Sequence, residues 1–367
     1  MPQNIPRCWI GINMNPAITP ARFHLLLNYF PSVEAIWTAS QEDLESLTGF
    51  SDAAAQFCEA RDEEEVEEEL ERCRKLDVKV ITLEDGEYPD SLRTIDKPPP
   101  VLYVKGDYEK DDQLGVAMVG TRKNTNYGKK VAKKLASQLV REGLTLVSGM
   151  ARGIDTYSHK SALATGGRTV AVMGTGFDHT YPKSNANLMR KIADNGAVIT
   201  EFPFEQRPTK WTFPQRNRVI SGLTRGTIVV EAPESSGALI TAHDALSQGR
   251  EVFAVPGDVR RPTMKGTHGL IKDGAKLVED ASDVVEEFKD IQAALPFDDE
   301  DEEEGIESTL NTDQKEVYSR LDYEPIHFND LVAGTDFSPG RLSHIMFQLE
   351  MENLVEQLEG NKWVKSK

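Results

Sequence analysis

The chain has 367 residues, 42 Lys+Arg against 60 Asp+Glu for a net charge of −18, and 39% hydrophobic residues, room for two or three packed domains. No apolar run approaches the roughly 18 residues of a membrane helix. The amino terminus lacks the apolar stretch of a signal peptide, and Cys8, Cys58 and Cys73, with no C-x-x-C among them, support neither a disulfide framework nor a zinc site, so a cytoplasmic protein without membrane contact is expected.

Residues 1–74 read as a small helical domain. Phe23, Leu26, Leu27 and Phe30 give one apolar face to Pro20–Phe30, and a second helix follows around Val33–Trp37. The turn Leu47-Thr48-Gly49-Phe50-Ser51 fits a helix-hairpin-helix or SAM-like module, and a plain helical hairpin fits it as well. Asp62–Glu71 packs eight acidic residues around Val66 and Leu70, a solvated helix face that nucleic acid would avoid.

From Leu76 the pattern changes to strands, at Val78–Leu83 and Val101–Val104, joined across the stiff Pro98-Pro99-Pro100 connector. Further strands are expected near 116–119, 144–148, 169–173, 197–200, 227–231 and 251–255, with helices between them, including Lys129–Arg141, and closing helices at Thr267–Gly274 and Ala281–Phe288. Such alternation implies right-handed βαβ crossovers and a doubly wound, mostly parallel α/β sheet over residues 75–290.

Residues 291–308 form an acidic linker, because the seven consecutive acids Asp298–Glu304 repel one another and cannot bury surface. Beyond it, in residues 309–367, helices at Thr312–Leu321, Phe328–Ala333 and Ser338–Glu350 precede a hairpin over Leu354–Leu358 and Trp363-Val364, the order of a winged helix. That segment holds 6 basic and 10 acidic residues, and its third helix offers only Arg341 as a fixed cation. A protein-contact role is favoured there over reading a DNA groove.

Charge is unevenly spread. Residues 115–280 hold 24 basic and 14 acidic residues, whereas the flanks hold 18 and 46. A basic centre between acidic arms suits a polyanion, although an even scatter over the surface is the alternative.

Chemistry gathers where strands end in glycine. Val116–Val119 runs into Gly120-Thr121-Arg122, Leu144–Ser148 into Gly149-Met150-Ala151-Arg152, and Thr169–Met173 into Gly174-Thr175-Gly176. Glycine at the carboxyl end of a parallel strand leaves room for a ligand, and helix amino termini there attract anions. One such loop is most simply a turn with a solvated arginine; three form an anion-binding rim. Phe177, Tyr181, Trp211 and Phe213 share loops with Lys183, Lys210 and Arg216, the mixture of cations and stacking surfaces that single strands require. Core packing is the competing role for Phe213. Arg216 and Arg218 begin a helix and need not share a face, so one is open to pairing with Glu231 or Asp155. Asp155 itself suits a helix cap better than catalysis.

The ordered set Gly120-Thr121-Arg122, Ser148–Asp155, Gly174–Asp178, Tyr181-Pro182-Lys183, Phe213–Leu223, Val229–Ala232, Ser236–Ala242 and Gly249–Gly257 closely resembles the DNA-processing protein A family, DprA or Smf, over about residues 76–290. The two end domains resemble the family's SAM-like and winged-helix modules more loosely. The resemblance implies a Rossmann-like domain that binds single-stranded DNA as a homodimer, loads RecA onto it in natural transformation and recombination, and has no catalytic activity and no cofactor. Carried over by motif, Arg122 and Lys183 hold the strand, Gly149, Gly174 and Gly176 keep the pocket floor open, and Lys210, Arg216 and Arg218 extend the basic surface, with Gly120, Thr121 and Arg152 in the same loops. Self-association is expected through the core, with Val252–Val255 and Leu270-Ile271 as apolar surface near a sheet edge. The chain departs from the family at Gly266-Thr267-His268, where relatives commonly carry Asn in the third place.

Two rival classes are testable. A dinucleotide-dependent oxidoreductase requires G-x-G-x-x-G, but Gly174-Thr175-Gly176-Phe177-Asp178-His179 ends in histidine. A nucleotide-processing phosphoribohydrolase-like enzyme of a similar fold would align its P-G-G-x-G-T-x-x-E loop on Pro233–Thr241, where both leading glycines are absent and Thr241 replaces the acid. Threonine cannot act as a base near pH 7. A pure scaffold would show no DNA affinity at low salt.

Overall fold

The apolar runs ending in glycine become strands of one nine-stranded sheet in the computed structural model, which describes residues 7–294 and then 312–318, 320–321, 326–335, 337–351, 354–358, 360 and 362–365. The chain divides into two units, Met1–Ile291 and Gln292–Lys367.

In the first unit the strands are β1 (Val78–Thr82), β2 (Val101–Gly106), β3 (Val116–Val119), β4 (Leu146–Ser148), β5 (Thr169–Val172), β6 (Gly196–Thr200), β7 (Gly226–Val229), β8 (Glu251–Ala254) and β9 (Lys276–Leu277). Their spatial order is β1-β2-β6-β5-β4-β3-β7-β8-β9. Seven neighbours from β6 to β9 run parallel, while β2 pairs antiparallel with both β6 and β1. The doubly wound, mostly parallel sheet therefore carries an antiparallel hairpin on one edge. From β3 the chain winds outward one way through β4, β5 and β6; from β7 it winds the other way through β8 and β9. The order reverses between β3 and β7, and ligands of such sheets bind in the crevice beyond the strands at that point.

Both central strands are wholly buried, as a parallel sheet covered on both faces requires. Val119, Val147, Val172, Ile199 and Val229 pack against Val219, Ile220 and Leu223 on one face, and Met118, Leu146 and Ile228 against Leu135, Leu139 and Ile154 on the other. The helix expected at Lys129–Arg141 begins earlier, at Asn126, because the Thr125 hydroxyl accepts from Gly128 N and caps it. The closing helices are Lys265–Lys272 and Ser282–Ala294.

Thr19, Ser32, Ser40 and Asp62 cap helices of the amino-terminal region. Its core of Trp9, Phe23, Ile36, Phe50 and Phe57 is continuous with Val78, Val80, Val101, Tyr103 and Phe204 of the sheet and its loops. The acidic helix, Glu63–Leu76, departs from a purely solvated face at Glu69, which is 3% exposed and accepts from Phe204 N at 2.9 Å. Burial raises the Glu69 pKa, opposed by that hydrogen bond and by Arg72.

β8 lies inside the sheet because β9, too short to be visible as an apolar run, takes the edge. Val252–Val255 and Leu270 are consequently core rather than edge surface, and the exposed apolar side chains nearby are Val259 and Leu277. His268 places its Nε2 3.1 Å from the Gly257 carbonyl oxygen.

The second unit has helices Thr312–Tyr318, Phe328–Gly334 and Pro339–Met351, with strands β10 (Ile326–His327), β11 (Val355–Leu358) and β12 (Lys362–Lys365) in the order β10-β12-β11. Val317, Leu331, Leu342, Met346, Leu349 and Trp363 form its core. Arg341 pairs with Asp313 and lies 5.3 Å from the Phe337 ring centroid. The acidic run Asp298–Glu304 falls outside the described residues.

Candidate nucleic-acid interface

At the reversal of strand order the loop after β3 is fastened to β7, since Thr121 N donates to the Glu231 carbonyl at 2.7 Å. Gly120 is required by space: a Cβ there would fall 2.5 Å from Ile154 Cγ1 and 3.0 Å from Glu231 O. The Glu231 carboxylate is fully buried and accepts from Thr125 N and Oγ1. The loop thus leaves with Arg122 and Lys123 exposed above a cavity of about 510 Å³.

Of the aromatics expected at the site, Phe213 lines the cavity, and Tyr181 and Trp211 lie outside its lining. The Arg122 guanidinium lies 5.1 Å from the Phe213 ring centroid, and the Tyr181 ring lies 5.4 Å from the same ring on another loop. Phe213 can lie there because Gly174 has no side chain; a Cβ would meet Phe213 Cδ1 at 2.9 Å. Half-buried, Phe213 serves both packing and the rim. Beside it Trp211 is 82% exposed, preceded by exposed Lys210, which also lines the cavity. Lys183 is exposed two residues beyond Tyr181, in the turn Lys183–Asn185, and lies outside the cavity lining. Arg152 is exposed on the loop after β4 and also lies outside that lining.

Arg216 and Arg218 point away from one another. Arg216, 4% exposed, donates through Nη1 to the Gly149 and Val172 carbonyls at the ends of β4 and β5, and through Nε to Asn217 Oδ1 at 3.2 Å. Gly149 is needed by that guanidinium, whose Nη1 would lie 2.6 Å from a Cβ. Burial pushes the Arg216 pKa down to about 10, opposed by Asp155, which leaves it charged at neutral pH. Arg218 pairs with Glu201 at 2.5 Å and donates to the Lys97 carbonyl, a buried structural contact rather than one with Glu231 or Asp155. None of Gly149, Gly174 and Gly176 lies on the cavity lining: the first two make room for Arg216 and Phe213, and Gly176 is packed against the loop after β6 at the Pro203 carbonyl.

Asp155 lines the cavity and is 5% exposed. It accepts from Ala151 N at 3.2 Å and does not occupy the N-cap of its own helix, Ile154–Ala164, where Gly153 stands with φ 83°. Burial raises its pKa, with Arg216 as the main opposing charge. Sequence reasoning left out Lys123, Gly237 and Thr241 as cavity residues. The available signal was Ser236, which accepts from Ala238 N and caps the helix Gly237–Ser247 at the cavity.

A doubly wound α/β protein with a cationic, aromatic-lined rim at the strand reversal is thus defined. The family model for DNA recombination-mediator protein A matches residues 79–289, and that of the DprA winged helix domain matches residues 301–361; the chain belongs to the DNA recombination-mediator protein A family. It is 32% identical over 394 residues to Protein Smf of Synechocystis sp., covering 97% of each chain. The X-ray structure of DNA processing protein A from Streptococcus pneumoniae is similar with a TM-score of 0.65 and 34% identity, over 77% of this chain and 98% of that one. DNA processing protein A from Helicobacter pylori, whose structure addresses its single-stranded DNA binding mode, is similar with a TM-score of 0.52 and 29% identity, over 58% and 96%.

Proposed function

We propose that the protein is a non-enzymatic recombination mediator that binds single-stranded DNA along the rim after β3, β5 and β6, and loads a RecA recombinase onto it as a cytoplasmic homodimer. The observation that carries this reading is the continuous line of Arg122, Phe213 and Tyr181, flanked by exposed Trp211, Lys210 and Lys183. Cations along the backbone and aromatics against bases are what sequence-tolerant single-strand binding needs. The H. pylori relative's single-strand binding supports the same assignment. In this reading residues 75–290 hold the strand, 291–308 act as a spacer, and the domains 1–74 and 309–367 serve protein contacts; the Arg341–Asp313 pair occupies the cation that a groove-reading helix would need. The hydrolase alternative lacks an acid at Thr241.

Fluorescence anisotropy with single- and double-stranded oligonucleotides across a salt series tests the proposal. Tighter binding of single strands, with a salt slope of roughly −0.7 per phosphate contact, is expected. Equal or absent binding at low salt would favour a scaffold, and release of free base from nucleoside monophosphates would favour the enzyme.

A further inference from the structure

Beneath the rim the cavity contains polar groups that the protein does not use. Thr241 lines it and is only 1% exposed, yet its hydroxyl has no hydrogen-bond partner among the described residues. Arg216, also on the lining, spends Nη1 and Nε on protein acceptors and leaves Nη2 without one. Both side chains line the cavity, so an occupant with acceptor atoms can take these two donors.

Charge is arranged in depth. At the mouth Arg122, Lys123 and Lys210 are exposed and have no ion pair among the described residues. The eleven-residue helix Gly237–Ser247 begins at the cavity, and although Ser236 takes the Ala238 N–H, a Cβ on Gly237 would meet nothing within 4 Å, so the helix start at Gly237 is open to approach. Such an end favours an anion. Asp155 sits on the lining as well and would repel an anion held close to it, while accepting from a hydroxyl or an N–H. The occupant is therefore anionic at one end and neutral, with donors and acceptors, at the other. Inorganic phosphate fails the second condition. The volume of about 510 Å³ lies in the range of single small-molecule sites, roughly 300–1,000 Å³, and has no room for a run of nucleotides.

We infer that this cavity binds a single nucleotide through a 5′-phosphomonoester, with the phosphate at the mouth and the sugar and base toward Thr241, Arg216 and Asp155. A monoester carries about −1.5 to −2 charges at neutral pH, more than the single charge of an internal phosphodiester, and it suits three cations and a helix end better. Two sources share this chemistry: a free nucleoside monophosphate and the 5′-phosphorylated end of a strand. The strand-end source rests on the single-strand reading given above; the free nucleotide does not.

The test uses the full chain and three oligonucleotides of one sequence, labelled away from the 5′ end: 5′-phosphorylated, 5′-hydroxyl and circular. Calorimetry with dAMP accompanies them. The 5′-phosphorylated strand is expected to bind roughly tenfold tighter than the other two. Thr241→Val, nearly isosteric and lacking only the unpartnered hydroxyl, should reduce that ratio to about twofold with unchanged melting, and Thr241→Ser should restore it. Binding of dAMP without discrimination among the oligonucleotides assigns the free nucleotide as the occupant. Equal affinity for all three strands together with no dAMP binding at about 10 mM overturns the inference, as does discrimination that Thr241→Val leaves intact. Retained affinity for the 5′-hydroxyl strand in those cases leaves the single-strand reading standing. Loss of all strand binding beside intact dAMP binding overturns only that reading.

Discussion

The Arg122 guanidinium lies 5.1 Å from the centroid of the Phe213 ring. The contact joins the loop after β3 to the helix Thr212–Gly222, so a cation and a stacking surface are delivered together from two separate elements. An exposed cation–π contact contributes only about 0.5–1 kcal/mol, which leaves the guanidinium available to a phosphate.

Arg122→Ala is expected to weaken binding of every single-stranded sequence and to lower the salt slope by roughly 0.7 per lost contact, with a melting temperature close to the parent's. Arg141→Ala, at the exposed carboxyl end of the helix Asn126–Arg141, is the control and should leave both unchanged. Anisotropy titrations at several salt concentrations, paired with thermal melts, check this. A parental salt slope in Arg122→Ala would remove Arg122 from the interface.

Trp211 offers the largest exposed ring on the rim, at 82%. Trp211→Ala should cost about 1–3 kcal/mol in strand binding, the contribution of one stacked base. Stability should change by less than about 0.5 kcal/mol, because the ring packs on little of the protein. Quenching of indole fluorescence by added strand, lost in the variant, provides a direct readout.

Arg216 behaves oppositely. Arg216→Met leaves the Gly149 and Val172 carbonyls without their buried donor and should destabilise the fold by about 2–5 kcal/mol in urea unfolding. Gly149→Ala should destabilise through the same group, because its new methyl would press against a guanidinium already held on three protein acceptors. An Arg216→Met protein as stable as the parent would show that the arginine supports nothing in the sheet.

Acid sensitivity should centre on His159. Its Nδ1 is 2.7 Å from Thr169 Oγ1, whose proton goes to the Leu146 carbonyl, so Nδ1 carries the hydrogen and the buried Nε2 is left bare. Burial, reinforced by Arg216, pushes its pKa down to about 3. The folded state therefore binds fewer protons than the unfolded one between about pH 6.5 and pH 3. The stabilisation is complete above the unfolded value and is lost as pH falls toward the folded one. Within that window His159 contributes up to about 1.4 kcal/mol of lost stability per pH unit. Urea titrations at pH 7 and 4.5 should give a smaller pH dependence for His159→Phe than for the parent; equal dependence would exclude His159 as the source.

The rim was legible in the sequence because glycine after an apolar strand has a local cause: Gly120 and Gly174 are each demanded by a close neighbour, Ile154 and Phe213. The roles of Arg216 and Arg218 were not legible. Two residues apart on a helix, they turn about 200° from one another, and their acceptors, the Gly149 and Val172 carbonyls and Glu201, come from distant parts of the chain. Gly176 misled for a related reason, since a glycine that admits a backbone and one that admits a ligand look alike in one dimension. β9 escaped because two residues make no period, and its absence from the reading turned interior β8 into a supposed edge. In the acidic helix, Glu69 differs from its neighbours only through Phe204 N, 135 positions away.

The core shared by the amino-terminal helices and the sheet has a consequence for how this chain is divided. The region matched by the family model begins at residue 79, inside β1, whose Val78 and Val80 pack among Trp9, Phe23 and Phe57. Inheritance and folding thus use different seams. A fragment started at the inherited seam would uncover Val101, Tyr103 and Phe204 and lose the Arg72 bridge to Asp178 and Glu205, turning an interior into a sticky outer face. The shortest piece that keeps its own interior dry reaches back to the helix Arg7–Met14, and shuffling this sheet into another protein would carry those helices with it as lining.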